Sequence, residues 1–424
     1  MRVGVLGCGN VGAPLVSLIA RQQAVVEARK GVRLEVVAVA VRTPSKARGI
    51  ALPDGVLTTD ATAVVNDPNV DVVVELIGGI EPARTLITTA LRNGKPVITG
   101  NKELLATHGA ELFALADELG VDLLFEAAVA GGIPIIRALR ESLRGEPLSR
   151  IMGIINGTTN FILTKMTEEG AEYADVLAEA QALGYAEADP TADVEGYDAG
   201  AKAAIMASLA FGAEVVAGDV FHEGIGRLTA ADIAMAKRLG YVVKLLGIAE
   251  QDRASGAIGV RVHPTMVPFT HPLASVRLAY NAVFLEGDSV GSLMFYGRGA
   301  GGDPTASAVL GDVIDAATNL AKHTHATLGT FPRAVIRPID EITAEYLLSL
   351  DVADRPGVLH AVTGVFARHG VSIRAAEQEG MGADARLVFI THDAVEASVQ
   401  ATVRELRELD EVLNVGTVLR VIGG

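Results

Sequence analysis

The stretch RVGVLGCGNVG at residues 2–12 is a short apolar run that enters glycines at 7, 9 and 12, with a helical pattern opening at Val11. A strand that leaves through G-x-G-x-x-G into a helix has the form of a dinucleotide-binding βα turn. Gly7 permits the tight turn, Gly9 lets the backbone approach a pyrophosphate, and Gly12 allows close packing of helix on strand. Asn10 and Val11 complete the loop, and the helix N-terminus faces the anion. Outward from this turn, apolar runs at 35–41, 71–78, 95–99 and 121–126 alternate with helical patterns, which predicts a doubly wound parallel α/β sheet, a Rossmann domain, over residues 1–128. The second run ends at Val41-Arg42-Thr43-Pro44-Ser45-Lys46, where an NAD-preferring site carries an acid for the ribose hydroxyl. Arg42 stands there instead and suits a 2′-phosphate, so the expected cofactor is NADP, with NAD also accepted.

The 424 residues are enough for roughly two to four domains. A formal charge of −15, with no basic cluster bearing interleaved aromatics, excludes nucleic acid as the expected partner. The most apolar stretch, Ala203 to Val220, carries Glu214 and Asp219 and reads as a buried helix rather than a membrane span. A chain that opens directly on a strand, without a leader pattern, is expected in the cytoplasm as a single-activity protein. The sole cysteine, Cys8, lies in the phosphate loop, which disfavours disulfides, Cys-based metal sites and thioester chemistry, and it reads as a packed residue. Direct hydride exchange between alcohol and carbonyl remains, and that chemistry needs a proton donor.

From about residue 129 the pattern changes to Gly-rich turns, long helices and less regular strands, read as a second, α+β domain over 129–299 for substrate binding and dimerisation. A helix within 300–335 is expected to return to the first domain, and 331–343 reads as a linker. Between Ala180 and Lys202 the acids Glu187, Asp189, Asp193, Glu195 and Asp198 precede one lysine, a density that suits a substrate ammonium group. Asp198 and Lys202, four apart, share a helix face, and the small residues around Lys202 make an unpaired ammonium costly there. A solvated helical salt bridge is the plainer alternative.

The motif A-x3-G-Y-x-E-x-D-P-x2-D-x-x-G-x-D-x3-K across 180–202 resembles the signature of the homoserine dehydrogenases. The resemblance extends through VVELIGG at 73–79, TGNKELLA at 99–106, EAAVAGGIPI at 126–135, INGTTNFIL at 155–163 and GAGGDPTASAVLGD at 299–312. Arg298 stands where the family has proline, and Gly100 where it has alanine. The resemblance implies reversible NAD(P)H-dependent reduction of L-aspartate 4-semialdehyde to L-homoserine, within threonine, methionine and isoleucine biosynthesis. It implies Lys202 as proton donor, Asp198 orienting it and contacting substrate, and Lys102 between nicotinamide and substrate. Glu187, helped by Asp193, would bind the ammonium group, with Thr158 and Tyr185 completing the pocket. Thr99, Gly184 and Gly301 would join the cofactor contacts. A monovalent cation, sodium, would be held by Glu126, Val129, Gly131 and Ile133, largely through backbone oxygens, and the protein would be a homodimer or homotetramer.

Residues 345–424 follow a βαββαβ order, a ferredoxin-like arrangement, with Asp354-Arg355-Pro356-Gly357-Val358-Leu359 joining strand to helix, and resemble an ACT regulatory domain. The implied effector is threonine as feedback inhibitor, and the plainer alternative is a dimerising appendage without ligand. A non-catalytic amino-acid sensor on a dinucleotide fold is the competing function, disfavoured by Lys102, Glu187, Asp198 and Lys202 occurring together.

Overall fold

The computed structural model describes the chain except residues 51, 53, 54, 381–384, 423 and 424. Six strands, β1 Arg2–Leu6, β2 Glu35–Ala40, β3 Leu57–Thr58, β4 Val72–Glu75, β5 Val97–Thr99 and β6 Leu123–Leu124, make an all-parallel sheet in the order β3-β2-β1-β4-β5-β6. The helices α1 Gly12–Lys30, α2 Ala61–Asn66, α3 Ala83–Arg92 and α4 Lys102–Leu119 connect them. Cover on both faces explains why these strands are continuously apolar. Val3, Val5, Val72 and Val74 bury against α1, while Leu6 and Val73 bury on the opposite face with Ile87 and Leu91 of α3. Each fully buried valine contributes on the order of 1.5–3 kcal/mol. Strand order reverses between β1 and β4, which places a ligand crevice at their carboxyl ends.

The next segment contains α5 Ile135–Arg137, β7 Leu148–Ile154, α6 Gly157–Glu169, α7 Tyr173–Ala182, α8 Thr191–Val194, α9 Tyr197–Phe211, β8 Phe221–His222, α10 Ala230–Arg238, β9 Tyr241–Gln251, β10 Ile258–Pro268, β11 Tyr280–Gly287 and β12 Gly291–Arg298. The apolar run from Ala203 is not one helix to Val220. Helix α9 stops at Phe211 because Gly212 takes φ +62°, and only a short turn at 217–219 follows. Helix α11, Gly302–Ala321, lays Val309, Val313 and Ala317 against Leu15, Val16 and Ile19 of α1 in one apolar cluster.

The C-terminal unit runs β13 Thr343–Val352, α12 Val358–Arg368, β14 Ile373–Glu379, β15 Arg386–Thr391, β16 Ala394–Val395, α13 Glu396–Leu406 and β17 Val412–Val421, the βαββαβ order with one short added strand. Its sheet is continuous with the central one, in the order β12-β11-β7-β9-β10-β17-β13-β15-β14. The seam is a short parallel pairing of Thr265 with Arg420 and Met266 with Val421. Residues 331–343 lie pinned along the central unit, where Glu214 N–H donates to Pro332 O at 2.7 Å and Ile258 N–H to Val335 O at 2.8 Å. Among the described residues no helix is long and apolar enough to cross a membrane.

Candidate active site

The phosphate loop has the steric demands its glycines suggest. Gly7 has φ +99°, and a Cβ there would sit 2.7 Å from Leu76 O, while a Cβ on Gly12 would sit 2.2 Å from Gly7 O. A Cβ on Gly9 meets nothing within 4 Å, so that face of the loop is open. The first turn of α1 carries no acid, which leaves its N-terminal end available to an anion. A Cβ on Gly302 would lie 2.4 Å from Asn10 O, which brings the start of α11, and Gly301 with φ +114°, onto the same loop. The open cradle and free helix end fit a dinucleotide pyrophosphate. Arg42 is exposed beyond β2 and has no partner among the described residues. Burial pushes the Cys8 thiol up, so it stays protonated and packed.

At the end of β5, Thr99 is fully buried and its hydroxyl donates to Glu75 Oε2 at 2.6 Å, so its side chain is committed inward. Glu75, also fully buried, accepts from the amides of Ile77 and Gly78 at 2.8 and 3.0 Å. Asn101 caps α4 through Leu104 N–H and donates to Gly79 O at 2.7 Å. This network fixes the Gly78-Gly79 turn and presents Lys102 as the first residue of α4.

Lys102 Nζ lies 2.7 Å from Asp198 Oδ1, and Lys202 Nζ lies 2.7 Å from Asp198 Oδ2. The carboxylate is thus clamped between ammonium groups from the two domains. Lys202 also donates to Ile155 O at 2.8 Å. Asn156, the N-cap of α6, donates to Asp198 Oδ2 at 3.0 Å and to Asp193 Oδ1 at 2.7 Å while accepting from Thr159 N–H. Burial works against charge on Asp198, but Lys202 and Lys102 prevail and hold its carboxyl well below the usual carboxylate range. Burial raises Asp193, opposed by the Asn156 donor and reinforced by Asp198. Burial alone would lower Lys102, yet Asp198 outweighs it and holds the ammonium above its ordinary value.

Thr158 donates to Tyr185 O at 2.7 Å, and the Tyr185 ring lies 4.9 Å from that of Phe161. Glu187 is exposed, and its carboxylate has no partner among the described residues. Gly184 takes φ +76° with open space around it. Glu126 is buried, and its carboxylate accepts from Ile136 and Arg137 N–H at 2.9 and 2.8 Å. Val129 and Gly131 are buried, and among the described residues nothing donates to their carbonyls; the Ile133 carbonyl accepts from Ile135 N–H. One carboxylate with unpaired buried carbonyls is an oxygen donor set that fits a hard cation. No group of three or more His, Cys, Asp or Glu that could hold a metal occurs among the described residues.

Asn156 and Glu75 are the site residues that the sequence reading did not single out. Both lie inside the family blocks INGTTNFIL and VVELIGG, and Asn156 also stands between a strand and a helix, where an N-cap is expected.

Family models for the homoserine dehydrogenase NAD-binding domain, the homoserine dehydrogenase catalytic domain and the ACT domain match residues 7–126, 134–314 and 346–411. The homoserine dehydrogenase of Corynebacterium glutamicum is 48% identical over 99% of this chain and 95% of its own, and that of Bacillus subtilis is 43% identical over 100% and 98%. The crystal structure of a homoserine dehydrogenase from Thiobacillus denitrificans superposes with a TM-score of 0.94 at 43% identity, covering 99% of this chain and 98% of that one. A hyperthermophilic archaeal homoserine dehydrogenase solved in complex with NADPH matches with a TM-score of 0.64 at 30% identity, covering 74% of this chain and 97% of its own. The chain belongs to the homoserine dehydrogenase family, NAD(P)-dependent oxidoreductases that act on a CH–OH group.

Proposed function

We propose that Lys202 donates the proton that converts the aldehyde oxygen of L-aspartate 4-semialdehyde to the hydroxyl of L-homoserine. The observation that carries this reading is the Asp198 carboxylate held at 2.7 Å from both Lys202 and Lys102. A reduced nicotinamide dinucleotide, when bound, supplies the hydride. Lys202 is aimed by Asp198 and by Ile155 O, so its third N–H is left for the substrate oxygen, where negative charge develops as the carbonyl is reduced. Lys102, carried by the cofactor domain, adds a second positive charge and ties that domain to the substrate domain through Asp198. The free carboxylate of Glu187, with Asp193, takes the substrate ammonium, and Thr158 and Tyr185 close the pocket. In the opposite direction Lys202 accepts the hydroxyl proton.

Arg42 would pair with a 2′-phosphate and favour NADP over NAD; the archaeal relative solved with NADPH supports that cofactor class. Glu126 and the carbonyls of Val129, Gly131 and Ile133 would hold sodium and stiffen the junction between the domains. The ACT domain would take threonine as effector, the protein would assemble as a homodimer or homotetramer, and it would act in the cytoplasm. The test is consumption of NADPH and of NADH with aspartate semialdehyde by the native protein and by Lys202→Ala and Arg42→Glu. Turnover that collapses in the first variant, and a preference for NADPH that falls about tenfold in the second, are expected. Undiminished turnover in Lys202→Ala sinks the proton-donor assignment.

A further inference from the structure

The loop 298–302, between β12 and α11, is held without slack on three sides. A Cβ on Gly302 would lie 2.4 Å from Asn10 O in the phosphate loop, and a Cβ on Gly131 would lie 2.5 Å from Gly299 O. Both of these contacts are to backbone. The third is to a side chain: a Cβ on Gly299 would lie 1.9 Å from Nδ2, 2.0 Å from Cγ and 2.5 Å from Oδ1 of Asn281, so that carboxamide lies across the Gly299 Cα. Gly299 does not take a positive φ, so what bars a larger residue there is the Asn281 amide rather than the backbone conformation.

Asn281 is the second residue of β11, and strand alternation turns it inward. Val283 packs in the inner cluster with Ile133 and Ile155, whereas Ala282 packs on the opposite face with Ile154. Ala282 stands opposite Ile154 of β7, which puts Asn281 level with Ile155, the residue whose carbonyl accepts from Lys202. Asn281 thus sits between the strand end that aims the ammonium and the loop that reaches the phosphate loop. It is 1% exposed, and among the described residues its enclosed Oδ1 has no hydrogen-bond partner. A buried amide oxygen without a donor costs stability, and an apolar side chain of similar size would fill the space without that cost. Folding by itself therefore does not account for an asparagine at this position.

We propose that Asn281 is a positioning residue for the dinucleotide: its amide face sets the 299–301 loop as a wall of the cofactor site, and its Oδ1 accepts a hydrogen bond when that site is filled. The proposal rests on, and deepens, the reading that this loop borders the cofactor. A planar carboxamide suits both tasks, because its face bears on Gly299 while its edge carries an acceptor. A hydrogen bond made only in the bound state adds to dinucleotide affinity and not to folding. Through the pairing of β11 with β7, the same residue keeps that wall in register with the strand end that aims Lys202.

The experiment uses the full-length protein with NADPH as probe, read by its fluorescence on binding, by steady-state kinetics, by urea midpoints of the ligand-free protein and by hydrogen exchange. The variants are Asn281→Ala, Gly299→Ala and the two combined. Asn281→Ala is expected to weaken NADPH binding roughly tenfold, with more of the loss in KM for NADPH than in kcat and a urea midpoint near native. Gly299→Ala, whose new methyl meets the amide, should weaken binding at least as much, and the combined variant should fall short of the sum of the two because the collision is gone. NADPH should slow exchange at 299–302 in the native protein and do so less in Asn281→Ala. An Asn281→Ala protein that binds NADPH as native does, or that only loses urea resistance, overturns the proposal, as do strictly additive effects in the combined variant. If Asn281→Ala does not fold, Gly299→Ala decides, since it keeps the amide: native affinity there overturns the proposal and a tenfold loss supports it. Tight binding that leaves exchange at 299–302 unchanged in the native protein overturns the reading that the loop borders the cofactor. Equal slowing in native and Asn281→Ala overturns the role of Asn281 and leaves that reading standing.

Discussion

Two lysines of the central unit, Lys202 on α9, partly buried, and Lys244 on β9, fully buried, sit in opposite surroundings. Lys202 faces a carboxylate at 2.7 Å that a second ammonium also engages, in a cluster open enough to leave its side chain 12% exposed. Lys244 is 3% exposed, and the hydrogen bonds it donates go to neutral oxygens, Asn160 Oδ1 at 3.0 Å and Val276 O at 2.6 Å. Burial pushes its ammonium down to about 8. Asn160 in turn donates to the carbonyls of Val276, Leu278 and Tyr280, so Lys244 and Asn160 together anchor the loop before β11. A buried ammonium beside neutral acceptors is a structural tie. One beside a carboxylate, at the meeting of two domains, is placed to pass a proton.

Substitutions at the two lysines should separate these roles. The largest effect is expected for Lys202→Ala, a fall in kcat of about 10³-fold with the fold intact by circular dichroism. Asp198→Asn keeps the shape but removes the charge between the two ammonium groups, and steady-state kinetics should show kcat down about 10²-fold with both lysines still present. Lys244→Met should leave kcat within about threefold of the native value; a loss matching that of Lys202→Ala would erase the distinction. Its signature is in stability against pH. The unfolded chain holds the lysine proton to about 10.5, whereas the folded chain releases it near 8. Between those values the unfolded state binds more protons, so Lys244 makes stability rise with pH across that window. Urea midpoints from pH 7.5 to 10 should rise for the native protein and flatten for Lys244→Met.

Much of this contrast was legible beforehand, and the illegible parts share a cause. The i,i+4 spacing of Asp198 and Lys202 is a local pattern, and the helix places the pair in contact as the spacing requires. The glycine fingerprint is equally local, and Gly7 and Gly12 meet the backbone atoms that exclude a side chain. Lys102 reaches Asp198 from another domain, and no spacing announces that meeting; only the family resemblance brought Lys102 into view. Backbone carbonyls at Val129 and Gly131 leave no side-chain signature at all. The fusion of the central and C-terminal sheets rests on two residue pairs between distant edges, below any periodic signal. The run from Ala203 to Val220 misled because composition was uniform, while the φ +62° glycine at 212 ended the helix.

The central claim is that the Lys202 ammonium delivers the proton. Its most direct test is chemical rescue: single-turnover oxidation of NADPH by aspartate semialdehyde in Lys202→Ala, with ethylammonium added at increasing concentration. The account predicts that the rate rises with the concentration of protonated amine in Lys202→Ala, while the native enzyme and Lys244→Met do not respond. A Lys202→Ala enzyme that folds and binds NADPH but gains no rate from any amine, or one as fast as native without it, would contradict the assignment.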